Sequence, residues 1–173
     1  MKRFLLVFLV VASYATAAQA AVTYDWKIPD NVRIVQKMTA PDGVRTFNTI
    51  QAAIDSITSG PSATNRYAVK VMPGEYSEAV TMKDYVDLIG SGQENTRLTS
   101  VDTTKGFVLK SANGSTVENI TITFADVDYW GGIIVVSENA SSIFRNLKVI
   151  LPSLFGGTGI VGLYEQSKAS VQI

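Results

Sequence analysis

From Tyr67 onward the chain is a series of short apolar runs separated by Gly, Asn, Asp and Ser. The runs are Tyr67–Met72, Glu78–Met82, Val86–Gly90, Phe107–Lys110, Val117–Phe124, Gly132–Val136, Ile143–Leu151, Ile160–Tyr164 and Val171–Ile173. Val, Ile and Thr fill them, so each is expected to form a strand. Before them, Ile50, Ile54 and Ile57 fall on one helical face. This spacing predicts a helix capped by Asn48, with Gln51 completing a capping box. Gly60 and Pro61 are expected to end it.

The spacing between runs says more than the runs themselves. Val86, Phe107, Ile133 and Ile160 follow at 21, 26 and 27 residues, and Val117, Phe144 and Val171 at 27 and 27. In the second series Asn119 coincides with Asn146. A near-constant period of this size, built from short strands, is a solenoid signature and argues against a β-sandwich. A coil of this kind buries its inner face only by stacking on its neighbours. The expected fold is all-β, a right-handed parallel β-helix with an N-terminal capping α-helix. Asn119 and Asn146 are then either rungs of an amide ladder or two separate surface turn residues.

Residues 1–20 are excluded from the fold. Lys2 and Arg3, the apolar run Phe4–Ala12 and the small residues Ala18 and Ala20 make a secretory signal, cleaved before Ala21. The apolar run is too short to cross a membrane, so no stable span is expected after cleavage. The expected division is 1–20 signal peptide, 21–46 lead-in, and 47–173 capping helix and first coils, incomplete at the C-terminus. Losing Lys2 and Arg3 turns a balance of 15 basic and 15 acidic residues into 13 against 15. That is no charge pattern for a nucleic-acid binder. The chain has 0 His and 0 Cys. Disulfides, thiol nucleophiles, His-based triads and the usual zinc sites are therefore excluded.

Several pieces, in order, carry a family resemblance: Asp42-Gly43; Phe47-x-Thr49-Ile50-Gln51-x-Ala53-Ile54; Val69-x-Val71-x-Pro73-Gly74-x-Tyr76-x-Glu78; and Leu88-Ile89-Gly90-Ser91-Gly92. Together they resemble the N-terminal part of the pectin esterases (pectin methylesterases), within the pectin-lyase-like β-helix superfamily. The resemblance implies ester hydrolysis by two Asp residues, with Gln side chains stabilising the oxyanion and an Arg orienting a carboxylate. Those residues lie in later family motifs, which this chain does not match. The Q-A-V-A segment falls near Trp130-Gly131-Gly132-Ile133, without Gln, and the Q-D-T segment near Ile150–Leu154, without Asp. No Asp follows Asp128. No catalytic residue is carried over, and no cofactor or metal is expected.

Gly74, Tyr76 and Glu78 match the family's G-x-Y-x-E element and are expected to be structural. The candidate binding residues are Asp126, Asp128, Tyr129 and Trp130, in the loop Ala125–Gly132. Aromatic faces pack on a pyranose ring, and carboxylates accept bonds from its hydroxyls. Two carboxylates are too few for a firm calcium site. The expectation is an exported, non-catalytic β-helix that binds an acidic polysaccharide. The alternatives are the N-terminal part of a pectinesterase-type esterase and a structural or adhesive surface solenoid. Further coils of a longer chain, or a partner, are expected to cover the C-terminal end.

Overall fold

The structure is a computed structural model that describes residues 30–37, 40–100, 104–124, 132–136, 140–150, 163–165 and 170–172. In chain order the elements are β1 (Val32–Val35), β2 (Thr46–Phe47), α1 (Ile50–Asp55), β3 (Tyr67–Val71), β4 (Gly74–Ser77), β5 (Val80–Thr81), β6 (Val86–Gly90), β7 (Thr96–Ser100), β8 (Phe107–Lys110), β9 (Thr116–Phe124), β10 (Gly132–Val136), β11 (Ser141–Ile150), β12 (Leu163–Glu165) and β13 (Ser170–Gln172).

Every pair of these strands is parallel, and the pairings divide each coil into three faces. Face A stacks β1, β3, β6, the first part of β9, the first part of β11, and β13. Face B stacks β4, β7 and the second parts of β9 and β11. Face C stacks β5, β8, β10 and β12. The chain passes A, B, C and returns to A one coil further on, which makes a parallel β-helix.

Residues alternate inward and outward along each strand, so the register piles like on like in the interior. Val69, Leu88, Val117 and Phe144 form one column on face A. Tyr76, Leu98 and Ile122 form the column on face B, and Val80, Leu109 and Ile134 that on face C. All ten side chains are buried. Each contributes roughly 1.5–3 kcal/mol by leaving water, and removal of one leaves a void bounded by the coils above and below.

β9 and β11 turn from face A to face B at single residues. Asn119 and Asn146 take φ of 59° and 47°, the left-handed region that Asn tolerates better than other side chains. The sharp corner thus follows from the residue type at one position in each coil.

The expected pairing of Val117 with Phe144 is present. The other spacings need correction. Val171 lies opposite Ser142, two positions from Phe144, because the last connection is longer than the one before it. Val86 and Phe107 lie on different faces, and Phe107 pairs with Gly132. The 21-residue interval therefore joins strands that never stack. Ile160 lies outside the described residues. Three short strands had no apolar signal: β2, β4, and β7, whose sequence Thr-Arg-Leu-Thr-Ser turns Thr96 and Ser100 inward. β1 lies within the segment read as a lead-in.

The helix cap also differs from expectation. Thr49, with φ −127°, is the N-cap, and its side chain accepts from the Ala52 N–H at 3.3 Å. Gln51 instead faces the first strand of face C. Its side-chain amide accepts from the Thr81 N–H at 2.7 Å and donates to the Thr81 carbonyl at 3.4 Å. One glutamine therefore replaces a neighbouring strand at the outer edge of β5, the kind of edge that otherwise invites pairing with other chains. Ile50, Ile54 and Ile57 are buried over the open end of the first coil.

Candidate functional site

The element Gly74-x-Tyr76-x-Glu78 runs along β4 and just beyond it. Gly74 takes φ 153°. Tyr76 is fully buried in the face B column, its hydroxyl 3.0 Å from the Met72 carbonyl oxygen and 3.3 Å from that of Val35. The Lys37 ammonium lies 5.1 Å from the centre of its ring. Burial, and then the charge of Glu78, push the Tyr76 phenol above its ordinary pKa, so it stays a neutral donor. Glu78 leaves the coil and reaches α1. Its two carboxylate oxygens accept from the Ile50 N–H at 2.8 Å and the Gln51 N–H at 2.9 Å. At the other end of α1, the Lys83 ammonium donates to the carbonyls of Asp55 and Ile57 at 3.2 and 3.0 Å. An anion at the helix N-terminus and a cation at its C-terminus both complement the helix dipole. These side chains spend their polar atoms on fastening the cap.

Asp126, Asp128, Tyr129 and Trp130 lie outside the described residues. The strands on either side do not. β9 ends on face B at Phe124, and β10 begins on face C at Gly132, opposite Phe107. The segment therefore joins face B to face C in the third coil. The same corner is residues 78–79 in the first coil, 101–106 in the second, 125–131 in the third and 151–162 in the fourth. Connections lengthen coil by coil along this one edge, as expected of a solenoid's variable face. Two cations stand in the second coil, one at each end of β8. Lys105 is exposed just before β8, and Lys110 is half-buried, in register with Thr81 and Val135. Sequence reasoning passed over both, because an isolated Lys carries no signal until the register assigns it a face.

β10 reads Gly-Ile-Ile-Val-Val. No Gln stands on face C in the third coil where the esterase motif would supply one. β11 ends at Ile150, and residues 151–154 lie outside the described residues.

A second polar cluster lies on the opposite corner. The Asn146 amide donates to the Asn119 side-chain oxygen at 2.7 Å, forming the ladder rung. Gln93 adds a contact that the repeat did not reveal, donating to the Asn146 oxygen at 3.0 Å from two coils away. Glu94 pairs with Lys148 at 2.8 Å, and that hydrogen bond holds its carboxyl below the ordinary value. Residues 93–94 thus strap the second coil to the fourth. Among the described residues, no group of three acidic, His or Cys side chains is placed to hold a metal ion.

No family model and no curated protein matches the chain. Solved structures do. A pectin methylesterase in complex with a hexasaccharide superposes with TM-score 0.54 at 17% identity, covering 76% of this chain and 46% of that one. Pectin methylesterase PemA from Erwinia chrysanthemi gives TM-score 0.54 at 18% identity, with the same coverage of 76% and 46%. The fold is the β-helix of the pectin methylesterases. The chain spans less than half the length of either enzyme, and at this identity the likeness extends to the fold alone.

Proposed function

We propose that this protein is an exported β-helix that binds an acidic polysaccharide through Asp126, Asp128, Tyr129 and Trp130, and that this chain does not hydrolyse esters. The observation that carries the reading is the position of that segment. It joins Phe124, the last residue of β9, to Gly132, the first of β10, and the exposed Lys105 precedes β8, the strand paired with β10. Aromatic faces suit sugar rings, carboxylates suit hydroxyls, and an ammonium group suits a uronate carboxylate. The same fold in a pectin methylesterase bound to a hexasaccharide supports the substrate class.

Non-catalysis rests on chemistry. Ester hydrolysis needs a nucleophile or activated water, a proton donor and a stabilised oxyanion. The chain has no His or Cys, no Gln in β10 and no Asp after Asp128.

Titration with an acidic oligogalacturonide is expected to change the tryptophan emission, and Trp130→Ala is expected to abolish the change while preserving the far-UV spectrum. No response in the parent chain sinks the reading in favour of a structural solenoid. Methanol release from methyl-esterified pectin, lost on Asp128→Asn, overturns it in favour of an esterase.

A further inference from the structure

The third of the solenoid's corners, from face C back to face A, holds a reactive dipeptide. Asn113-Gly114 has the sequence most prone to spontaneous deamidation, because glycine offers no side chain to shield its backbone nitrogen. The reaction needs that nitrogen, once deprotonated, to attack the asparagine side-chain carbonyl carbon. A C–N bond forms, ammonia leaves, and water then opens the cyclic imide to aspartate or isoaspartate.

Both reacting groups are tied down here, and by the same residue. The Gly114 N–H donates to the Ser141 carbonyl at 2.7 Å. The Asn113 side-chain oxygen accepts from the Ser141 N–H at 3.1 Å. The first bond stabilises the protonated amide. The second keeps the side chain turned toward the next coil and away from Gly114. The Asn113 amide nitrogen also lies 3.5 Å from the Tyr85 hydroxyl, and the Asn113 backbone N–H donates to Asp84 at 3.0 Å. Gly114 cannot be exchanged for a slower-reacting residue. Its φ is 65°, and an added Cβ would lie 2.6 Å from the Tyr85 ring. The corner therefore retains the labile pair and guards it with the first residue of β11.

We propose that Asn113 is a deamidation site gated by the docking of β11, so that opening of the fourth coil is recorded as an irreversible change at Asn113. Deamidation adds a carboxylate beside Asp84. The isoaspartate form also adds a methylene to the backbone at a corner held in register by Ser141. Either product disfavours re-docking, so the opened state becomes permanent.

The test uses the full chain at mildly alkaline pH, with peptide mapping and isoaspartate detection at Asn113. The folded protein is expected to convert at least about tenfold more slowly than the same chain in urea. Phe144→Ala removes a buried ring of β11 without touching Asn113 or Gly114, and is expected to raise the folded-state rate about tenfold. Ser142→Ala is a milder loosening. It removes a hydroxyl bonded to Ser111 at 2.9 Å and to the Ala112 carbonyl at 3.0 Å, and is expected to give a smaller rise, which keeps the test informative if Phe144→Ala fails to fold. Ile54→Ala, in the cap at the far end, is expected to leave the rate within about twofold. Equal rates folded and in urea, no response to either β11 variant, or equal acceleration by Ile54→Ala would each overturn the proposal.

Discussion

Glu78→Ala tests whether the coil fastens its own cap. Glu78 is half-buried and holds two backbone N–H groups of α1, at 2.8 and 2.9 Å. The helix has 6 residues and no acidic residue in its first turn, so it has little stability of its own. Hydrogen bonds to a charged group are worth roughly 1.5–3 kcal/mol each. Partial exposure lets water replace part of that, and the helix dipole adds a few tenths. Glu78→Ala is therefore expected to cost about 2–4 kcal/mol. Glu78→Gln keeps one acceptor and loses the charge, for about half that cost. In a chain of this size a loss of 2–4 kcal/mol lowers the melting temperature by about 4–16 °C. The assay is thermal unfolding beside Glu75→Ala, a control on the same strand with an exposed side chain and an expected effect within about 0.5 kcal/mol. Hydrogen exchange at the Ile50 amide should accelerate in the Glu78 variants alone. If Glu78→Ala melts together with Glu75→Ala, the cap is held by its apolar face and the clamp argument fails.

Gly90→Ala is expected to part the second and third coils, since an added Cβ would lie 2.2 Å from the Asn119 carbonyl oxygen; the cost, about 3 kcal/mol or more, is read from urea unfolding. Asn119→Ala is expected to lose about 1–3 kcal/mol through left-handed strain and the broken rung at 2.7 Å. Asn119→Gly keeps the backbone conformation and should lose less; equal losses would show that strain plays no part. Asp42 accepts three backbone N–H groups, from Val44, Arg45 and Thr46, which hold its carboxyl far below the ordinary 3.8. Its contribution to the turn is complete above that ordinary value and declines as pH falls from there through the lowered folded value, so Asp42→Asn should flatten the acid limb of amide exchange at these three residues.

The interior of the fold was legible wherever an inward column is apolar. Val117 and Phe144 announce their stacking because both flank an Asn at the same offset, and the period survives in the sequence. It is lost where a strand turns polar groups inward, as at Thr96 and Ser100 of β7, or where only two residues pair, as in β5. It also fails where corner loops differ in length, which is why Val86 and Phe107 looked like one series while lying on separate faces. The helix was legible from its three isoleucines. Its cap was not, because the carboxylate that completes it comes from Glu78, on the following coil, and no local pattern announces such a partner. The candidate site was legible only as a composition, two carboxylates beside two aromatics. The register adds the strands on either side of it, β9 ending on face B and β10 beginning on face C.

Stability and recognition are carried by different parts of a parallel β-helix. Each inner strand completes its hydrogen bonds with the coils on either side, so the ladder there asks nothing of the corners beyond a turn. Where the corner is a single residue, as at Asn119 and Asn146, its conformation and side chain belong to the fold and tolerate little change. Where it is a long connection, as from face B to face C, its length varies from coil to coil. A chain can therefore keep the pectin methylesterase architecture at 17–18% identity, because the stacked columns set the fold. Fold similarity then constrains the columns and says little about function. It follows that exchanging residues 125–131 for a short polar linker should leave the melting behaviour of the first two coils intact and remove the glycan response, whereas altering Asn119 should damage the stack before it alters binding.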